Sequence, residues 1–326
     1  MELIHQALAD GIGSAVDLAV LHEGEVVLHE RAGLARRVPD SQALDADATW
    51  DLASLTKPLC GAAVAYALID EGRLSFDAPV RGTTVADLLA HSAGYPAWRP
   101  LYEESQDRSE MLELAASTPR DAKPGTYSDL GFLTLCQKLE EVGGDRIDRL
   151  WARHVRHSDG LTWGSKTAVA TELCPVRGRV VQGEVHDLNA WTMGGHSSHA
   201  GLFGDAQAVV RAGWGYLQDA RAGQAIAHAW TTRGQGSHWL GWDGRSEGVS
   251  SSGTLFPPDS VGHLGFTGTS LWIAPRHGVV VALLTNRVHP SVEDTRIRQL
   301  RPAVHDAVVR WLQRNGRWQV RFGRNG

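Results

Sequence analysis

Apolar residues recur at helical spacing over residues 2 to about 12, at Leu3, Ile4, Ala7, Leu8 and Ile12, and Gly11 and Gly13 stop the pattern. Two runs rich in Val and Leu follow, Ala15 to Val20 and Val26 to His29. They flank His22-Glu23-Gly24-Glu25, which predicts a β-hairpin. Residues 31–49 are polar and irregular. From Ala62 to Ile69 the chain is hydrophobic nearly all round, as a buried helix is, and Gly72 stands where its C-cap is expected. Pro58 sets the start of that helix close to Ser54, because proline is cheap only in the first turn, where N–H groups lack intrahelical partners.

Further helical patterns cover a short stretch after Thr84, about 107–117, 131–142 and 205–218, and Glu293 to Gln313. Pro124-Gly125-Thr126-Tyr127-Ser128-Asp129 separates two of them, and 158–205 and 230–254, rich in Gly, His, Ser and Trp, read as long ordered loops. Residues 262–273 and 278–286 are strand-like, with Pro275-Arg276-His277-Gly278 between them as a second hairpin. Strands at both ends and helices between them predict an α/β (α+β) fold. One antiparallel sheet is assembled from both termini and flanked by helices, with an inserted, mainly helical part. The expected division of this single domain is 1–80 with 245–326 for the sheet half and 81–244 for the helical half.

Composition narrows the class. With 326 residues and 42% hydrophobic content the chain can bury a substantial core. A net charge of −5, a pI near 6.3 and no basic block argue against nucleic acid and anionic membranes as partners. No run approaches the roughly 18 apolar residues of a membrane span, and Met1-Glu2-Leu3-Ile4-His5 does not resemble an export signal. The expectation is a cytoplasmic protein, unless a signal has been trimmed away. Cys60, Cys136 and Cys174, odd in number and far apart, read as reduced and mostly buried.

The chemistry begins at Ser54-Leu55-Thr56-Lys57. Residues three apart on a helix share a face, so a hydroxyl would stand beside an amine, a nucleophile beside a base. A helix N-terminus there would also favour a developing oxyanion. Taken alone, the tetrapeptide reads more readily as a helix cap and a surface lysine.

Two further stretches change this. Ser54-Leu55-Thr56-Lys57, Tyr127-Ser128-Asp129 and His263-Leu264-Gly265 occur in the order and approximate spacing of the three motifs of the serine β-lactamase and penicillin-binding-protein superfamily. Leu88-Leu89-Ala90-His91-Ser92-Ala93-Gly94, Gly183-Glu184-Val185-His186-Asp187, His199-Ala200-Gly201-Leu202-Phe203 and Gly268-Thr269-Ser270-Leu271-Trp272 are similar to its class C β-lactamase-like branch, which includes esterases and D-amino-acid peptidases. The resemblance runs from about residue 15 to 290. It implies an acyl-enzyme on Ser54, with Lys57 as base and Tyr127 as proton shuttle. The oxyanion hole would come from the N–H groups of Ser54 and Phe266, and His263, Gly265 and Asp129 would line the substrate site. Burial and neighbouring charge would lower the pKa of Lys57 so that it can act as base.

The chain departs from the pattern twice. Asp129 stands where many relatives have asparagine; a carboxylate accepts hydrogen bonds only, or pairs with Lys57. His263 and Leu264 stand where lysine or histidine and threonine are usual, and a histidine near its ordinary pKa is partly charged at neutral pH. Both favour an ester or a small amide over a β-lactam. The expected partner is a small-molecule or short-peptide substrate, with no cofactor and no metal. A catalytically silent binding protein on the same fold is the alternative. A metal on His186, His196 and His199 is a weaker one, since they sit among Gly and Ser with no obvious helix. Of the twelve tryptophans, Trp98, Trp163, Trp191, Trp239 and Trp242 are candidates for an apolar acyl pocket, with scattered packing the stronger expectation for most.

Overall fold

Period-two alternation sets the centre of the fold. The computed structural model describes residues 2–123 and 125–320, so Pro124, in the stretch before Tyr127, lies outside the described residues. The two ends of the chain meet in one seven-stranded sheet. Its strands are β1 (Ala15–His22), β2 (Glu25–Arg36), β3 (Gln42–Ala43), β4 (Asp243–Gly244), β5 (Val261–Leu264), β6 (Ser270–Ala274) and β7 (Val279–Thr285). They lie in the order β4-β5-β6-β7-β1-β2-β3, with every neighbouring pair antiparallel.

β1 and β7 pair along their length at the centre, and every residue of both is buried. Successive side chains point to opposite faces. Val16, Leu18 and Val20 pack with Ile4, Val304 and Val308, from the first and last helices, Glu2–Ala9 and Ile297–Arg314. Ala15, Ala19 and Leu21 pack with Val209 and Val210 of the helix Ala206–Arg221. Gly213 permits that close approach, since a Cβ there would lie 2.8 Å from Val280.

The foreseen hairpins are β1–β2 and β6–β7. Two readings need correction. The polar stretch from residue 31 is strand as far as Arg36, because β2 is half-exposed along most of its length and need not be apolar. Residues 262–273 form two strands, β5 and β6, folded back on each other around a turn at 265–269. Between residues 81 and 244, Val85–Leu89, Arg108–Ser117 and Asp129–Gly143 are helices near the expected positions, each with a capping side chain at its N-terminus, Thr84, Asp107 and Ser128. Ile147–His154 and Ala225–Ala229 are helices that no pattern announced.

Asp17 on β1 ties the sheet to its covering helix. Its fully buried carboxylate accepts from His29 Nε2 at 2.8 Å and Arg31 Nη2 at 2.9 Å on β2, and from the first N–H of the helix, Ala206, at 2.9 Å. Asp17→Ala would strand the buried helix N–H of Ala206 and leave Arg31 only its longer pairing with Asp205, and is expected to reduce the unfolding free energy by about 3 kcal/mol. A lower urea midpoint with an unchanged slope is the readout.

Candidate active site

Local folding around the nucleophile begins at Asp51. It lies in the short strand Trp50–Asp51, which pairs with Leu202–Gly204, itself paired with Thr162–Trp163. The buried Asp51 carboxylate accepts from the backbone N–H of Ala53 at 2.8 Å and of His186 at 2.6 Å. Burial pushes its pKa up, and the His186 contact works against that rise. Ala53 is held at a φ of 49°, a left-handed conformation that a non-glycine residue adopts at a cost of about 1 kcal/mol or more.

Beyond Ala53 the chain is less regular than the single helix expected from Ser54 onward. A 3₁₀ turn, Ala53–Leu55, gives way to a π-helical turn, Lys57–Ala62, and then to the α-helix Ala63–Asp70. Pro58 offers no N–H, and the Leu59 carbonyl in the wide turn accepts from Trp151 Nε1 at 2.9 Å and Tyr216 Oη at 3.3 Å. Side chains from outside the helix thus complete its bonding.

Ser54 and Lys57 still stand side by side, with Nζ donating to Oγ at 2.9 Å. Lys57 has no exposed surface. Asp129, the first residue of its helix, accepts from Nζ at 2.6 Å. The Tyr127 ring lies 4.6 Å from Nζ, and its phenol is close enough to both Lys57 and Ser54 to feel their polarity. Between these two residues, Ser128 fixes the segment. It caps the helix through Gly131 N–H, donates its own N–H to His91 Nδ1 at 3.0 Å, and donates Oγ–H to the Pro96 carbonyl at 2.6 Å.

The electrostatics correct one expectation. Burial lowers the pKa of Lys57, yet the Asp129 carboxylate and the Tyr127 oxygen outweigh it, and Lys57 is raised above the usual lysine value. The resting amine is therefore an ammonium ion. Burial also pushes Tyr127 up to about 12, despite the neighbouring Lys57, so it is a phenol at neutral pH.

His263 is buried, its ring 5.9 Å from Tyr127, and its Nδ1 donates to the Leu264 carbonyl at 2.9 Å. Burial pulls its pKa down to about 4. It is neutral at neutral pH, where a partly charged residue was expected. Gly265 abuts the nucleophile turn, since a Cβ there would lie 2.0 Å from Thr269 Oγ1 and 2.5 Å from the Leu52 carbonyl oxygen. Thr267 and Thr269 donate to the carbonyls of Asp51 and Leu52, at 2.7 and 3.0 Å. The turn that carries Phe266 is thereby fixed against the turn that carries Ser54. The Phe266 ring is more than half exposed, with the Arg287 guanidinium 4.4 Å from it.

Two histidines that the sequence did not single out also surround Tyr127. The His91 ring lies 4.5 Å from it and the His238 ring 6.1 Å. His238 donates from Nδ1 to Asp243 at 2.9 Å and from Nε2 to the Gly125 carbonyl at 3.1 Å, and a ring that donates twice is an imidazolium. Burial opposes that charge, and Asp243 overcomes it, so its pKa is raised. His238 comes from the Gly- and Trp-rich stretch 230–254, which carries no period that would mark it.

Asp129, Asp187 and His199 each bring one donor atom within 4.8 Å of the others, the one such group among the described residues. It suits a metal poorly. Asp129 is held by Lys57, Asp187 caps the helix Leu188–Thr192, and His199 spends both ring nitrogens on Ser197 and Asp187. Burial would raise the Asp187 pKa, but His199 holds it down at about 2. Of the tryptophans considered for an acyl pocket, Trp239 and Trp242 are buried and Trp163 packs edge-on to Trp151. Trp98 and Trp191 are open, at 45% and 37% exposure. Trp98 follows Ala97, whose carbonyl accepts the N–H of Asp129, which sets it beside the site.

Comparison with known proteins places the chain as a whole. A putative D-alanyl-D-alanine carboxypeptidase of Escherichia coli (strain K12) is 28% identical over 347 residues, covering 86% of this chain and 80% of that protein. Among solved structures, a class C beta lactamase superposes with a TM-score of 0.72 at 14% identity, covering 94% of this chain and 96% of that one. EstCE1, a hydrolase with promiscuous acyltransferase activity, superposes with a TM-score of 0.70 at 18% identity, covering 93% and 97%. The family model described as Beta-lactamase matches residues 2–305, and the chain belongs to the beta-lactamase family of serine hydrolases.

Proposed function

We propose that Ser54 is the nucleophile of an acyl-enzyme hydrolase acting on small esters and amides that carry no anionic group next to the scissile bond. The observation that carries this is Lys57, fully buried and within hydrogen-bond reach of both Ser54 and Asp129. Because the resting lysine is an ammonium ion, it accepts the serine proton only by giving one up. As Ser54 Oγ bonds to the substrate carbonyl carbon, its proton passes to Lys57, and Lys57 passes one to Asp129. When the tetrahedral adduct collapses, the proton returns through Lys57 to Tyr127, which protonates the leaving group. Water repeats the sequence in reverse and frees Ser54. Neutral His263 and apolar Leu264 offer no cation to a substrate carboxylate, which supports esters and small amides. The name of one structural neighbour, a hydrolase with promiscuous acyltransferase activity, fits this chemistry, whereas the carboxypeptidase name of the relative implies a carboxylate beside the scissile bond and shares only the acyl-enzyme step. Three buried, unpaired cysteines support a reducing, cytoplasmic setting.

A fluorophosphonate probe is expected to label the protein, with the adduct mapped to Ser54 and absent from Ser54→Ala. Labelling that survives the substitution would overturn the assignment. Asp129→Asn removes both the resting place of the proton and the charge that raises Lys57. Burial then lowers the lysine, and only its free base can act. The variant is expected to lose roughly a hundredfold in kcat, and its kcat/KM should show an acid limb set by protonation of Lys57.

The folded-state pKa of His263 lies below its ordinary value of 6.5, so on acidification the unfolded chain takes up the proton first. Stability present above about pH 6.5 is lost as the pH falls towards 4, by up to about 3 kcal/mol for this residue. Urea midpoints measured across that range check the loss. KM for a neutral ester should stay level from about pH 6 to 8, since His263 carries no charge there.

A further inference from the structure

Arg301 lies on the C-terminal helix, 7% exposed, and no carboxylate among the described residues pairs with it. A buried cation without a counter-charge is costly. Burial and the nearby Arg287 lower its pKa to about 9, which leaves it charged at neutral pH. Its Nη2 donates to two backbone carbonyls, Gly265 at 2.6 Å and Thr269 at 2.8 Å, while its Nε is buried without a partner.

Those carbonyls belong to the turn pressed against the nucleophile. Gly265 N–H donates to the Thr269 carbonyl at 2.8 Å and Gly268 N–H to the Gly265 carbonyl at 3.1 Å, so the turn is closed on itself and held from behind by the guanidinium. The Gly265 carbonyl and the Phe266 N–H are two ends of one peptide group. In a trans peptide they point in opposite directions, so fixing the oxygen aims the hydrogen. A cation on the oxygen also draws charge through the amide and strengthens the N–H as a donor.

We propose that Arg301 is a positioning residue for the oxyanion: through the Gly265 carbonyl it aims and polarises the peptide whose N–H, on Phe266, receives the charge developing on the substrate. This rests on the acyl-enzyme reading above. Arg301 touches neither substrate nor Ser54; its effect is exerted through one amide, and it gives the unpaired buried charge a purpose in the transition state.

The test uses the full chain and two variants. Arg301→Lys keeps the charge with a single-point donor, and Arg301→Met removes both. With p-nitrophenyl acetate, kcat is expected to fall roughly ten- to a hundredfold in Arg301→Met, with KM within about twofold and Arg301→Lys intermediate. The infrared carbonyl stretch of the acyl-enzyme should move to higher frequency in the same order, because a weaker oxyanion hole polarises the ester less. A merely structural role would lower the melting temperature and leave the stretch in place. Folded variants with the parent's kcat and carbonyl stretch overturn the proposal. Should Arg301→Met fail to fold, the stretch of Arg301→Lys decides. Fluorophosphonate labelling of Ser54 in the parent separates this test from the reading beneath it: without that adduct the reading fails and takes the proposal with it, and with it a variant result bears on Arg301 alone.

Discussion

A lysine with no exposed surface is a charge that must find a partner, and Lys57 finds it across the molecule in Asp129. The pair joins the nucleophile turn, which follows the short strand Trp50–Asp51, to the first residue of the helix Asp129–Gly143. Breaking such a buried pair is far costlier than never having built it. The geometry of Ser54 and Tyr127 therefore follows from satisfying Lys57. Both hydroxyls lie within its reach, and the residues around Tyr127 are bound to their neighbours through Ser128, His91 and His238.

A second set of bonds fixes the other side of the site. Asp51 holds the strained backbone of Ala53 and the N–H of His186 with one carboxylate, while its own carbonyl receives Thr267. Three stretches far apart in the chain are thus tied at a single residue, and the Gly265 turn closes onto them. Strain at Ala53 is sustained because its surroundings over-determine it. The asymmetry between the two histidines follows from the same local detail. His238 donates from both ring nitrogens and is charged, whereas His263 has one carbonyl partner and is neutral.

The strands at the two ends were legible because β1 and β7 are buried on both faces and hence mostly apolar, with Asp17 the one charged residue between them. β2 beyond residue 30 was not, since a half-exposed strand leaves no consistent alternation. The helices that begin after Thr84, Asp107 and Ser128 carry capping residues that sequence shows directly. Ser54, Lys57 and Tyr127 were legible through their motifs, and the structure brings them together. The charge of Lys57 was not. Whether burial or a carboxylate wins depends on a distance of 2.6 Å to a residue 72 positions away, and no spacing rule encodes it. His238 and Arg301 were hidden for a related reason. Each acts through a backbone carbonyl of another segment, and such a partner leaves no mark on the residue types nearby.

The pairing of β1 with β7 has a consequence for synthesis. The chain's first long strand has hairpin contacts available at once, but its other neighbour lies more than 250 residues downstream in register. During translation the Ser54 turn emerges early and waits for Gly265, Phe266 and finally the last helix. Contacts of such sequence separation close late and slowly. On the proposed mechanism, a ribosome-bound fragment carries Ser54 long before Phe266 and Arg301, so an immature chain would stay chemically quiet until its last helix has docked.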